Sequence, residues 1–121
     1  MRVLLISANR EQLPSVVIPL GVLCVAAQLR IHRDVRVLDV CFEQDPHAAI
    51  ANEIERHAPQ VIGFGIRNLH DNAYRSQAEV IAGYAKLVAT VRQLSSSPLV
   101  LGGAGFSLRP RELLAQLGAD S

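Results

Sequence analysis

Three segments of the sequence place polar side chains or glycine directly after a short apolar run, and binding chemistry is expected there. The first apolar run is followed by 7–15, a polar stretch long enough to fold over a ligand. A later run is followed by 67–75, which offers amide, imidazole and carboxylate groups. The last run is followed by Gly102, Gly103 and Gly105, where missing side chains let a flat group or another backbone approach closely.

Each segment also has an interpretation that involves no ligand. The first can be a solvated loop, since loop length alone indicates little. Asn68, Asp71 and Asn72 are ordinary turn and cap residues. Glycines are also common in tight turns, although a glycine pair at the end of an apolar strand is harder to explain in that way.

The sequence offers no recognisable catalytic apparatus. His32, His47 and His57 fall on predicted helices or their ends, where we expect them to be solvated, and His70 alone follows a strand. No Ser-His-acid or Cys-His set converges, which argues against nucleophilic catalysis. Two cysteines are too few to build a zinc or iron–sulfur site from thiols. We therefore assign no catalytic and no metal-binding residue.

Several nucleotide-binding classes are also disfavoured. The dinucleotide fingerprint G-x-G-x-x-G should open the first βα turn, but 7–15 contains no glycine. Gly63 and Gly65 lie inside a predicted strand instead. The phosphate-binding G-x-x-x-x-G-K-[ST] loop is absent, and Ser7 and Ala8 stand where a phospho-receiver domain needs an acidic pair.

The composition is that of one packed domain spanning residues 1–121. Half of the residues are hydrophobic, 19% are charged and the net charge is +1, so neither nucleic acid nor a membrane is expected as a partner. The longest apolar stretch, 16–27, is interrupted by Pro19 and Gly21 and is too short to span a membrane. Unpaired Cys24 and Cys41 and an N-terminus without a cleavage site predict a cytoplasmic location.

Apolar runs rich in Val, Ile and Leu alternate with helical patterns, which predicts βαβ units and a parallel sheet. The fold class is α/β: a doubly wound, flavodoxin-like (Rossmann-like) sheet of strand order 2-1-3-4, with a fifth strand truncated or absent. Ligands of such sheets bind beyond the carboxyl ends of the strands. The predicted strands are 3–6, 35–40, 61–66 and 99–101. The predicted helices begin at Pro19, Pro46, Ser76 and Pro110, and the last ends at Gly118.

In this order the motifs resemble the N-terminal cobalamin-binding domain of B12-dependent radical SAM enzymes, a family that includes methyltransferases and cyclases. The resemblance covers the whole chain. It rests on Arg2-Val3-Leu4-Leu5-Ile6, Pro19-Leu20-Gly21-Val22-Leu23, Ala26-Ala27-Gln28-Leu29, Val35-Arg36-Val37-Leu38-Asp39, Pro59-Gln60-Val61-Ile62-Gly63-Phe64, Leu99-Val100-Leu101-Gly102-Gly103 and Leu117-Gly118-Ala119-Asp120.

The resemblance implies that the strand ends hold the nucleotide tail of cobalamin while the corrin ring lies across the C-terminal edge of the sheet. Gly102 and Gly103 match the glycine pair beside the tail, and 67–69 match the segment beneath or beside the corrin. The implied cofactor-binding residues are Ser7, Ala8, Asn9, Pro19, Gly21, Arg67, Asn68, Leu69, Gly102, Gly103, Ala104 and Gly105.

The chain departs from relatives of this family at three places. Residues 7–12 contain no histidine to ligate cobalt from below, which resembles the ligand-free variant; His70 is the alternative ligand. Ala104 and Gly105 stand where the family often has a histidine. No cysteine triplet for a [4Fe-4S] cluster and S-adenosylmethionine is present, so the resemblance implies a radical SAM domain C-terminal to residue 121 and no catalysis by this chain alone.

Two further expectations complete the sequence-based hypothesis. Without a fifth strand the edge of the fourth is open, which favours self-association. The alternative function is a flavodoxin-like nucleotide-binding or protein-interaction domain without catalysis, with the polar loops as its contact surface.

Overall fold

The computed structural model of the protein describes residues 1–70 and 76–121, in which strands and helices alternate. Residues 71–75, including the candidate cap residues Asp71 and Asn72, lie outside the described residues. The strands are β1 (Arg2–Ser7), β2 (Asp34–Asp39), β3 (Val61–Gly65) and β4 (Leu99–Gly102). The helices are α1 (Leu20–Leu29), α2 (Pro46–His57), α3 (Gln77–Leu94), α4 (Ala104–Leu108) and α5 (Pro110–Leu117).

The strands form one parallel sheet of order β2-β1-β3-β4, which confirms the predicted fold class. The register brings Ser7 beside Asp39 on one side and beside Gly65 on the other, while Gly65 pairs with Gly102. Because all four strands run in the same direction, their carboxyl ends and the loops that follow them meet at one edge of the sheet.

The two faces of the sheet are covered very unequally. On one face, alternate strand residues such as Leu4, Phe64 and Leu101 are buried with α2, α3 and α5 in the main core. On the other face Val3 and Leu5 pack only against α1, in a small second cluster. Right-handed crossovers explain this, because only the β1–β2 connection runs toward the β2 side of the sheet. The α1 face of β3 and β4 is therefore left uncovered.

Local sequence signals account for most helix boundaries. The Asp45 carboxylate accepts a hydrogen bond from the Ala48 amide and caps α2, and Ser76 and Glu79 form the predicted capping box of α3. Gly118 ends α5 in the left-handed conformation, as predicted. The short helix α4 was not predicted, because its five residues are too few to show a helical apolar period.

The last residues of the chain contact the outer edge of β4, which was predicted to be open. The Asp120 amide donates to the Leu99 carbonyl at 2.9 Å, and the Leu101 amide donates to the Ser121 carbonyl. The Asp120 carboxylate in turn accepts from the Leu99 amide and from Arg92, both at 2.8 Å. Self-association through this edge stays a prediction.

Replacing Asp120 by asparagine should destabilise the protein in a pH-dependent way. Hydrogen bonds from the Leu99 amide, and next from Arg92, lower the pKa of the Asp120 carboxyl from its ordinary value of 3.8. A depressed pKa contributes stability above the unfolded-state value, and this contribution is lost as the pH falls through the folded-state value. In urea titrations, Asp120→Asn should unfold earlier than the wild type at pH 7, and the gap should shrink below about pH 4. A gap that is unchanged at pH 2 would contradict an ionic contribution.

One histidine lies in a different environment from the one predicted. His57, expected to be solvated, is only 5% exposed, and its Nε2 lies 3.1 Å from the Val3 carbonyl oxygen. Its Nδ1 is 4.0 Å from the Asp34 carboxylate. The end of α2 packs across the start of β1, a long-range contact that its local sequence does not indicate. His32 and His47 are exposed, as predicted.

No helix in the described part of the chain is both long enough and apolar enough to cross a membrane.

Candidate functional site

The loop after β1 is fixed in place by side chains that reach the loop after β2. Arg10 donates from Nη1 to the carbonyls of Val40 at 2.8 Å and Glu43 at 2.6 Å. Gln12 donates from Nε2 to the Cys41 carbonyl at 2.9 Å. These hydrogen bonds satisfy carbonyls that follow β2 and hold the polar loop above the strand ends.

A second set of contacts joins the loops after β1 and β3. The Asn68 amide donates from Nδ2 to the Glu11 carboxylate at 3.2 Å, and the Asn68 carbonyl accepts from the Tyr84 hydroxyl at 2.6 Å. Tyr84 belongs to α3 and is buried. The two loops that the sequence singled out therefore meet and are supported from below by α3.

A groove of about 750 Å³ runs along the uncovered face of β3 and β4, with α1 as one wall. We call it the α1-side groove. Its polar side chains, Ser7, Asn9, Asp39 and Arg67, come from strand ends and the loops after them. The remainder of the lining is apolar side chains and glycine: Met1, Val3, Leu5, Ile6, Val17, Ile18, Pro19, Leu20, Gly21, Val22, Val25, Leu29, Val61, Gly63, Phe64, Gly65, Ile66, Val100, Leu101, Gly102, Gly103 and Ala104.

The three glycines after β4 have different structural roles. A Cβ on Gly102 would meet nothing within 4 Å and would project into open space. A Cβ on Gly103 would collide with the carbonyl oxygen of Ile66, and one on Gly105 would lie 2.9 Å from that of Arg67. Gly103 and Gly105 thus allow the chain's own backbone to approach, whereas the space beside Gly102 is available to a ligand.

A shallower cavity of about 350 Å³ lies at the strand ends, between the loops after β1 and β3. We call it the strand-end basin. It shares Val17 and Arg67 with the α1-side groove, so the two cavities adjoin. The basin is lined by Glu11, Leu13, Pro14, Ser15, Val17, Arg67, Asn68 and His70. A ligand with a broad part over the basin and an arm in the groove would fit this shape.

The structure gathers most of the predicted site residues around these cavities. Ser7, Asn9, Pro19, Gly21, Arg67, Gly102, Gly103 and Ala104 line the groove, and Asn68 lines the basin. Ala8 instead faces a cavity of about 200 Å³ between α2 and α3. Leu69 is buried in the main core, and Gly105 packs on the backbone of Arg67.

The sequence analysis missed the apolar lining. Leu5, Val22 and Val100 make up much of the groove wall, yet each looks like an ordinary core residue. Val100 is nevertheless 40% exposed, since no helix covers β4 on this side. The available signal was the topology itself: α1 alone cannot cover four strands.

The two cysteines should differ strongly in reactivity. Cys24 is exposed on α1, whereas Cys41 is buried. Burial raises the pKa of the Cys41 thiol, and the neighbouring Asp39 carboxylate raises it further, against a smaller lowering by Arg10. Because the thiolate is the reactive form, iodoacetamide at pH 8 should alkylate Cys24 rapidly and Cys41 only slowly. Mass spectrometry of peptides over time measures both rates; equal rates would contradict the buried position.

Comparison with known proteins agrees with this geometry. The family model described as "B12 binding domain" matches residues 6–121. The chain belongs to the B12-binding domain family. Among curated proteins, this B12-binding domain is 29% identical over 119 residues to tryptophan 2-C-methyltransferase of Streptomyces laurentii, covering 98% of this chain and 20% of that protein.

Solved structures show the same relationship. The domain superposes with a TM-score of 0.84 and 26% identity on TsrM, a radical S-adenosylmethionine methyltransferase from Kitasatospora setae with cobalamin and a [4Fe-4S] cluster bound. A second TsrM structure, with tryptophan and a SAM analogue (aza-SAM), gives a TM-score of 0.81 at 26% identity. The matches cover 98% of this chain and 21% and 22% of TsrM. This B12-binding domain thus resembles that of TsrM and spans about a fifth of its length.

Proposed function

We propose that this chain binds cobalamin, with the nucleotide tail in the α1-side groove and the corrin ring over the strand-end basin. The observation that carries the proposal is the bare position at Gly102, where the groove opens and a Cβ would have no neighbour within 4 Å. A flat, largely apolar base can lie there against the backbone of β3 and β4. The broad ring then rests on the loops after β1 and β3.

The polar residues at the strand ends supply the remaining contacts. Arg67 is exposed and belongs to both cavities, so its guanidinium can donate to the phosphate or the amide groups of the ligand. Ser7 lies at the top of the groove on the same strand face as Leu5 and can bond a polar atom of the tail. Asn68 is positioned by its bonds to Glu11 and Tyr84 and borders the basin.

The proposal extends to a larger enzyme. Bound cobalamin supplies a cobalt atom that can carry a methyl group. We infer that the domain is the N-terminal cofactor module of a radical SAM enzyme of methyltransferase type, and that the [4Fe-4S] cluster and S-adenosylmethionine are held by a C-terminal part. Its one-fifth coverage of TsrM supports this inference. The two free cysteines are consistent with a cytoplasmic location.

A direct titration tests cofactor binding. Equilibrium dialysis of the chain against hydroxocobalamin should give saturable binding of one cofactor per chain and a change in the corrin absorption bands. FMN and ATP under the same conditions serve as controls for the alternative nucleotide-binding function. Binding of FMN or ATP without binding of hydroxocobalamin would overturn the proposal.

A further inference from the structure

We infer that the α1-side groove selects cobalamin-type cofactors by the polarity of the tail base, accepting benzimidazoles and discriminating against purines. This inference rests on the proposed function and concerns the specificity of the same site. It follows from how polar groups are distributed along the groove.

Polar side chains of the groove are confined to its C-terminal end. Ser7 and Asp39 are the last residues of their strands, while Asn9 and Arg67 lie in the loops just beyond. Two of these four already have partners in the protein. Both polar atoms of the Asn9 amide contact the backbone of Glu11, and the Asp39 carboxylate accepts from the Cys41 amide.

Below the level of Ser7 the groove offers hydrocarbon and paired backbone. Leu5, Val22 and Val100 form its walls there, and Gly63 exposes only the backbone of β3. The backbone amides and carbonyls of β1 and β3 are engaged in the parallel ladder. A base that enters this region finds no free donor or acceptor among the described lining residues other than Ser7.

Two bases of nearly equal size differ sharply in this environment. A benzimidazole attached through one nitrogen has a single free ring nitrogen, which the Ser7 hydroxyl can satisfy. Adenine has three free ring nitrogens and an amino group, most of which would be desolvated without a partner. Unpaired burial of such groups weakens binding substantially, so we expect about 10- to 100-fold lower affinity for the adenine-tailed corrinoid.

The experiment compares corrinoids that differ only in the tail base: 5,6-dimethylbenzimidazole, unsubstituted benzimidazole and adenine. Dicyano forms are used so that the base is detached from cobalt in every ligand. Equilibrium dialysis should give dissociation constants within a few-fold for the two benzimidazoles and about 10- to 100-fold higher for adenine. Equal affinity for the benzimidazole and adenine forms would overturn the inference, while leaving the proposed function intact.

A groove variant locates the discrimination. In Gly102→Leu the tail is excluded, so the three corrinoids should bind equally weakly, at the level of tail-less cobinamide. If the preference for benzimidazole survives in this variant, the discrimination arises elsewhere and the inference is wrong. Failure of dimethylbenzimidazolyl cobamide to bind the wild-type chain would overturn the proposed function itself.

Discussion

Replacing Gly102 by leucine should weaken cobalamin binding by about 100-fold or more and leave the fold intact. The added side chain would fill the groove where the tail base is proposed to lie. A bicyclic aromatic base buries on the order of 150 Å², which is worth about 3 to 4 kcal/mol at ~25 cal/mol per Å². A loss of ~3 kcal/mol corresponds to about a 100-fold change in affinity.

Folding and binding can be separated at this position. The φ of Gly102 is not positive, and its Cβ would meet no protein atom within 4 Å, so neither strain nor collision is expected. Gly83→Leu is the matched control, since Gly83 also has open space beside it but lies on α3, outside the groove. Hydroxocobalamin dialysis and urea unfolding should show weak binding only for Gly102→Leu. Full affinity in that variant would remove the tail from the groove.

The fold was predictable from the sequence because its signals are local. The apolar runs of the strands, the Pro46 and Ser76 helix starts and the Gly118 stop each depend on a few neighbouring residues. Strand order followed from the right-handed crossover rule rather than from any single residue. The same rule leaves α1 alone on its face, so the existence of a groove was implicit in the topology.

The lining of the site could not be predicted in the same way. Val100 and Leu5 meet across the sheet through the β1–β3–β4 register, and their spacing along the chain does not reveal it. The glycine segment was correctly singled out, but the division of roles within it depends on where the backbone of 66–67 passes. Only Gly102 borders open space, whereas Gly103 and Gly105 hold that backbone close. The sequence alone treats the three as equivalent.

Replacing Gly103 by alanine should destabilise the protein, in contrast to the same change at Gly102. Gly103 has a φ of 104° and a ψ of 167°, a region that is essentially restricted to glycine and costs about 1 to 3 kcal/mol for other residues. A Cβ there would also collide with the Ile66 carbonyl oxygen, which accepts a hydrogen bond from the Gly105 amide at 3.0 Å. Relieving the collision would displace the start of α4 from the end of β3.

The expected loss is therefore about 2 kcal/mol or more in the free energy of unfolding, equivalent to a fall of several degrees in Tm. Calorimetry of Gly103→Ala and Gly102→Ala measures the contrast, because the two variants differ by one position and carry the same added methyl group. Gly102→Ala should unfold close to the wild-type temperature, since its methyl group meets no protein atom within 4 Å. Equal Tm values for the two variants would mean that Gly103 does not require its positive φ. The rigid passage of β4 into α4 would then lose its structural basis.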